Sequence, residues 1–206
     1  MSGWVACLDA DVLISMPDCD LLLEIAKEGL YTVRWSPAIL DEVRRNLGKA
    51  NPMITPALAD KRIASMRGAF PEADVSEDGS TVFTVLKRVH PEDQHVVATA
   101  LVAQASVIVT RNTKDFAVKD LEAVGLLVQG PDEFLLHQVT QNPVAVCNAV
   151  GAVIRRLLKT RPTVEEYLEF IEGRFPLFAA ALRPHKDLIP PPGWELVRIK
   201  IATIGP

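Results

Sequence analysis

No stretch of this chain is long and apolar enough to span a bilayer, because Lys, Arg, Asp or Glu interrupts every apolar run. The N-terminus lacks the basic start and small-residue cleavage site of a secretory signal. Cysteine is scarce: the three, at 7, 19 and 147, make no CxxC pair and no even framework, and read as reduced thiols of a cytosolic protein. There is no excess of positive charge. A net charge of -4 argues against the broadly basic surface of a nonspecific duplex binder, but leaves a nuclease open, since an acidic metal site adds negative charge of its own. Low-complexity segments and internal repeats are absent, and charged residues alternate with apolar ones, which argues against disorder. HExxH, GxSxG, GxGxxG and Walker A sequences are all missing. The histidines at 90, 95, 137 and 185 stand outside any zinc-ligand spacing.

What remains is a chain of 206 residues, 49% apolar, enough for one domain of ordinary size with an extension. Residues 4–8 (WVACL) form a short continuous apolar run, the signature of a buried parallel strand. Asp20 and Gly29 bracket a helical pattern as N-cap and C-cap. Residues 31–35 alternate as a second strand. Ser36-Pro37 opens a helix carrying Ile39, Leu40, Val43 and Leu47, which Gly48 ends. Residues 52–70 are helical in pattern, 74–80 a polar loop, and 81–89 of no settled type. Pro91 starts a helix running to Ala105. VIVT at 107–110 is another buried strand, and 121–128 a short helix and strand. The order β-α-β-α-α-α-β-α-β predicts an α/β sandwich with a parallel sheet. Beyond Pro131 the pattern is helical, at 131–140, 143–159 and 163–182, with one alternating stretch near the C-terminus.

In an open parallel sheet, ligands gather beyond the carboxyl ends of the strands. The first strand ends there in CLDADVLI, which sets Asp9 and Asp11 at the edge, and VIVT ends in Thr110 followed by Arg111, Asn112 and Asp115. Each acid could also be an ordinary turn former or helix cap. Asp93 lies three, four and seven residues before Val96, Val97 and Ala100, so it projects on the apolar face of its helix, with Glu92 and His95 pointing away. A carboxylate there needs a cation or a metal. Glu42 flanks the apolar stripe of its own helix. Such clustered carboxylate oxygens suit Mg²⁺ or Mn²⁺, which position a water as nucleophile and neutralise the leaving oxygen of a phosphate. Arg111 and Lys114, with Arg44 and Arg45, are the cations placed to meet phosphates.

The pieces CLDADVLI, SPAILDEVRRNL, HPEDQHVVATAL and ASVIVTRNTKDF, in this order, resemble those of a PIN-domain ribonuclease of the VapC toxin type. The resemblance covers about residues 5–130. It implies a PIN-like three-layer α/β/α sandwich with a central parallel sheet over 1–130. The remainder, 131–206, resembles the helical C-terminal extension of a longer VapC-like subgroup. It further implies a Mg²⁺-dependent endoribonuclease in which Asp9, Glu42 and Asp93 are the matching acids. The fourth position is supplied around Asn112 and Asp115, because Asn112 stands where many PIN domains carry an acid. Such toxins act on tRNA or ribosomal RNA in the bacterial cytoplasm, pair with an antitoxin that occupies the active-site groove, and commonly form homodimers.

Two other readings fit the same opening. LDADV matches the first motif of haloacid-dehalogenase-like phosphatases, with Asp9 as nucleophile and Asp11 as general acid. That family needs a later paired acid motif, and R-N-T-K-D after VIVT does not provide one. The third reading is a PIN-like RNA-binding module without catalysis, which Asn112 keeps open.

Overall fold

A computed structural model describes residues 3–76 and 89–194. Two compact units divide the chain: Met1–Cys19 with Tyr31–Pro131, and Asp20–Leu30 with Asp132–Pro206.

The first unit is built on an all-parallel four-stranded sheet flanked by helices, as the alternation of elements predicts. Strands β1 (Trp4–Leu8), β2 (Tyr31–Arg34), β3 (Val107–Val109) and β4 (Leu127–Gln129) lie in the order β2-β1-β3-β4. Ala6 pairs with Val33 on one side and Val107 on the other. Ala6, Cys7 and Leu8 are wholly buried, as expected of a central strand covered on both faces. β2 is extended at Trp35 by a bridge to Asp74, with Trp35 N–H donating to Ala73 C=O at 3.0 Å.

The helices depart from expectation in their boundaries. Asp9 caps a short helix, α1 (Ala10–Ile14), and a second, α2 (Met16–Lys27), follows at once. Asp20 therefore lies inside α2 and is not its cap. The true break is Ser15, whose hydroxyl bonds Asp18 at 2.8 Å while its carbonyl receives Cys19 N–H at 2.9 Å. Helix α3 (Pro37–Ala50) opens on Ser36 and Pro37 as predicted but runs through Gly48. Helix α4 (Pro56–Ala69) starts from Thr55 rather than Pro52. The stretch 77–88, which includes most of the segment left unsettled, lies outside the described residues. After it, Pro91–Asp93 forms a 3-10 turn and only Gln94–Val102 is the helix α5. A second 3-10 turn, Thr113–Asp115, follows β3, and α6 (Val118–Glu122) leads to β4.

The second unit is helical: α7 (Pro131–Gln141), α8 (Pro143–Arg156), α9 (Val164–Glu172) and α10 (Pro176–Leu182). The expected single helix over 163–182 is two helices, because Pro176 has no N–H to continue the first. Thr163 and Glu166 form a capping box at the start of α9. α8 supplies the apolar centre, with Val146, Cys147, Val150 and Ile154 fully buried. Gly151 leaves no room for a side chain: a Cβ there would stand 2.8 Å from Pro190 Cδ. Leu168 and Phe175 are wholly buried and belong to the core of this unit, whereas Phe170 is exposed. The alternating stretch after Trp194 lies outside the described residues. No helix among the described residues is long and apolar enough to cross a membrane.

Candidate active site

The site grows from the carboxyl ends of β1 and β3. Asp9 closes β1, and its N–H donates to Val109 C=O at 3.1 Å, which fixes it against the end of β3. The residue is only 6% exposed. One oxygen accepts from Ala10 N–H at 2.6 Å and the other from the Thr110 hydroxyl at 2.8 Å. Asp11, in the first turn of α1, takes the same hydroxyl at 3.1 Å and the Arg111 N–H at 2.9 Å, both on Oδ2. Its other oxygen, Oδ1, is buried with no hydrogen-bond partner among the described residues.

Thr110 is thus a clasp between two carboxylates, and a hydroxyl has one proton to share between them. The pair is electrostatically strained as a result. Burial, then the charges of Asp11 and Asp93, push the Asp9 carboxyl up to about 7, against the hydrogen bonds from Thr110 and Ala10. Burial also raises Asp11.

Asp93 ends the 3-10 turn before α5 and is half-buried. Burial, followed by the nearby charge of Asp115, raises its carboxyl; Glu42 adds to this, while His90 and His95 oppose it. Asp115 accepts from the side-chain amide of Asn112, so the amide residue orients the acid. Glu42, half-buried on α3, faces His95 Nε2 at 3.4 Å. The acids expected at the site therefore form one electrostatic neighbourhood.

His95, expected away from the centre of the apolar face, sits at the seam of α3 and α5, which the Thr99 to Ser36 hydroxyl bond of 2.9 Å holds together. An edge position on a helix faces solvent only if no second helix packs beside it, and the sequence does not tell that apart. His90 was likewise unassigned, and its backbone N–H bonds the carbonyl of Asp115 at 3.0 Å.

The four cations divide into two kinds. Arg44 is paired with Asp60 on the surface, and Arg111 with Asp18, whose side chain is wholly buried. Arg45 and Lys114 are exposed. Arg45 also lines an open depression of about 250 Å³ with Arg44, Thr55 and Pro56. Asp18 escaped notice in the sequence because it lies two residues from an assumed cap.

As placed, no three His, Cys, Asp or Glu side chains among the described residues converge on one ion position. The donor set nonetheless fits a hard divalent cation. It consists of carboxylate oxygens, one of them buried and unpartnered, and its members raise one another's proton affinity. A cation among them would take the place of those protons and relieve the repulsion.

Residues 5–114 match the family model described as PIN domain, and residues 131–184 match that described as VapC50 C-terminal domain. Among curated proteins, the chain is similar to "Putative ribonuclease VapC50" of Mycobacterium tuberculosis (strain ATCC 25618 / H37Rv). The two are 31% identical over 94 residues, which are 46% of this chain and 56% of the relative. The match thus spans little more than half the length of that relative. No solved structure matches.

Proposed function

Because this chain belongs to the PIN-domain family, we propose that it is a divalent-cation-dependent endoribonuclease that hydrolyses RNA phosphodiester bonds, and that it is a toxin of the VapC type. The observation that carries this reading is the buried Asp9 carboxylate, clasped by Thr110 beside the unpartnered oxygen of Asp11. Asp9 and Asp93 would hold Mg²⁺ or Mn²⁺, with Asp115, oriented by Asn112, completing the set. The cation, when bound, neutralises the phosphate and makes attack by water feasible near neutral pH.

The chain's own groups do the rest. Glu42, held beside His95, orients the attacking water. Thr110 keeps Asp9 and Asp11 apart from each other's lone pairs and fixes both carboxylates. Attack by water leaves a 5′-phosphate and a 3′-hydroxyl. Lys114 and Arg45 are the side chains placed to meet backbone phosphates, and Arg111 and Arg44 keep part of their charge in ion pairs. The similarity to the VapC proteins extends the reading to a structured substrate of the tRNA or ribosomal RNA class, an antitoxin partner, a homodimer and a cytoplasmic setting.

The test is direct. Purified protein is incubated with total RNA and Mg²⁺, then with EDTA, and then as the Asp93→Asn variant. Cleavage is expected in the first case only, with at least a 100-fold loss in the variant, about 3 kcal/mol of barrier. Cleavage that survives both EDTA and the substitution refutes the metal mechanism.

A further inference from the structure

Asp18 is a charged side chain with no exposure to solvent, and the chemistry proposed above makes no use of it. An ionised carboxylate in that position demands compensation. It has two forms here. The Ser15 hydroxyl donates to Oδ1 at 2.8 Å, and the guanidinium of Arg111 donates Nε–H to Oδ2 at 2.5 Å. Arg111 comes from the strand end of β3, 93 positions further along the chain.

The backbone of that arginine has a second engagement. Its N–H donates to Asp11 Oδ2 at 2.9 Å, next to the hydroxyl of Thr110. Asp11 is thus gripped through one oxygen by two consecutive residues, Thr110 and Arg111. The other oxygen, Oδ1, is left buried with no partner among the described residues. A carboxylate with one oxygen pinned and one open is a pre-oriented ligand, and the quality of its orientation depends on how firmly residues 110–111 are held. Thr110 is held by the sheet, since its N–H bonds Gln129 C=O at 3.0 Å. Arg111 is beyond the strand, and its side chain supplies the anchor.

We propose that Asp18 is a positioning residue of the acid cluster: its buried carboxylate anchors Arg111, whose backbone N–H holds Asp11 with Oδ1 presented to a divalent cation. This rests on the reading of the cluster as a cation site. It gives Arg111 a role in which its side chain serves structure and its main chain serves the site. It also gives Asp11, whose partners in the sequence were undefined, a place as a ligand rather than a turn former. Partners that hold a ligand in this way commonly change metal affinity by 10- to 100-fold.

The test is a double-mutant cycle on the full chain, read by Mn²⁺ binding in calorimetry and by exchange of the Arg111 amide. Asp18→Asn removes the buried charge and leaves Arg111, which is 37% exposed, able to reach water, so the fold is retained. Expected are an approximately tenfold weaker Mn²⁺ affinity and at least tenfold faster exchange at the Arg111 amide. In an Asp11→Asn background, Asp18→Asn should produce no further loss of affinity, because the ligand it serves is gone. If Asp18→Asn is too unstable to purify, Arg111→Lys keeps a cation near Asp18 and reads the same cycle. Equal losses in both backgrounds, or an unchanged affinity and amide exchange, overturn the proposal. An unaltered chain that binds no Mn²⁺ overturns the cation reading itself, while the amide exchange still reports whether Asp18 controls the grip on Asp11.

Discussion

Replacing Asp9 by Asn should make the metal-free protein more stable at neutral pH, although it removes a central residue of the site. In the folded chain the Asp9 carboxyl lies near 7 instead of its ordinary 3.8, first through burial and then through the charges of Asp11 and Asp93. A carboxyl with a raised folded value gains a proton on folding. Its contribution to stability is whole below pH 3.8, drains away as the pH rises, and is gone above about 7. At about 1.4 kcal/mol per tenfold, the loss across that window is of the order of 4 kcal/mol. The Asn side chain carries no charge at any pH. Its oxygen can still accept from Ala10 N–H, and its amide can donate to the Thr110 hydroxyl, which then turns to Asp11. The assay is urea unfolding of both proteins in EDTA at pH 4, 5.5 and 8. The stability of Asp9→Asn relative to the unaltered chain should climb by roughly 2–4 kcal/mol from the lowest to the highest pH. Mn²⁺ at 100 times its dissociation constant should raise the unaltered chain by about 2.7 kcal/mol at pH 8 and leave the variant nearly unmoved. A relative stability that is flat with pH would refute the account of a strained, buried carboxylate.

Other outcomes follow from the same geometry. Thr110→Val keeps the shape of a wholly buried residue but removes the clasp between Asp9 and Asp11. It should raise the Asp9 carboxyl further and cost about 1–3 kcal/mol at pH 8, less at pH 4, by the same unfolding assay. Gly151→Ala sets a methyl group 2.8 Å from Pro190 Cδ and 3.0 Å from its carbonyl oxygen. A loss of about 1–3 kcal/mol is expected from that overpacking, and thermal unfolding with no loss would show that the segment yields.

The sheet was legible because its strands are simple. WVACL and VIVT are continuous apolar runs, which is what a strand covered on both faces requires. Ser36-Pro37 was legible because a cap and an N1 proline act within one turn. The end of α1 at Ser15 was not, because the Leu-rich stretch after Asp20 continues the helical pattern on both sides of the true start. The split at Pro176 was missed because the apolar periodicity of α9 and α10 runs straight across it. At the site, the strand ends told which acids stand at the edge. They did not tell that Thr110 holds two of them, that His95 turns to Glu42, or that Asp18 reaches Arg111. Those are pairings across 53 to 101 positions of chain, and no local pattern encodes them. The phosphatase reading ends with the family match, which includes the LDADV stretch.

The hydrogen bond from Thr110 to Asp9 also sets a schedule. It joins residues 101 positions apart, and the β1 to β3 pairing beside it closes a loop of the same length. Such closures come late, since the chain must pay the entropy of the loop before the contact rewards it. During synthesis the CLDADVLI segment leaves the ribosome ahead of Thr110, which follows only after about 5–20 s of further elongation. Until then Asp9 is an ordinary solvated acid on a nascent chain. The acids of the site therefore meet only once the second half of the sheet has been delivered, and a nuclease of the kind proposed would be inert while it is being made.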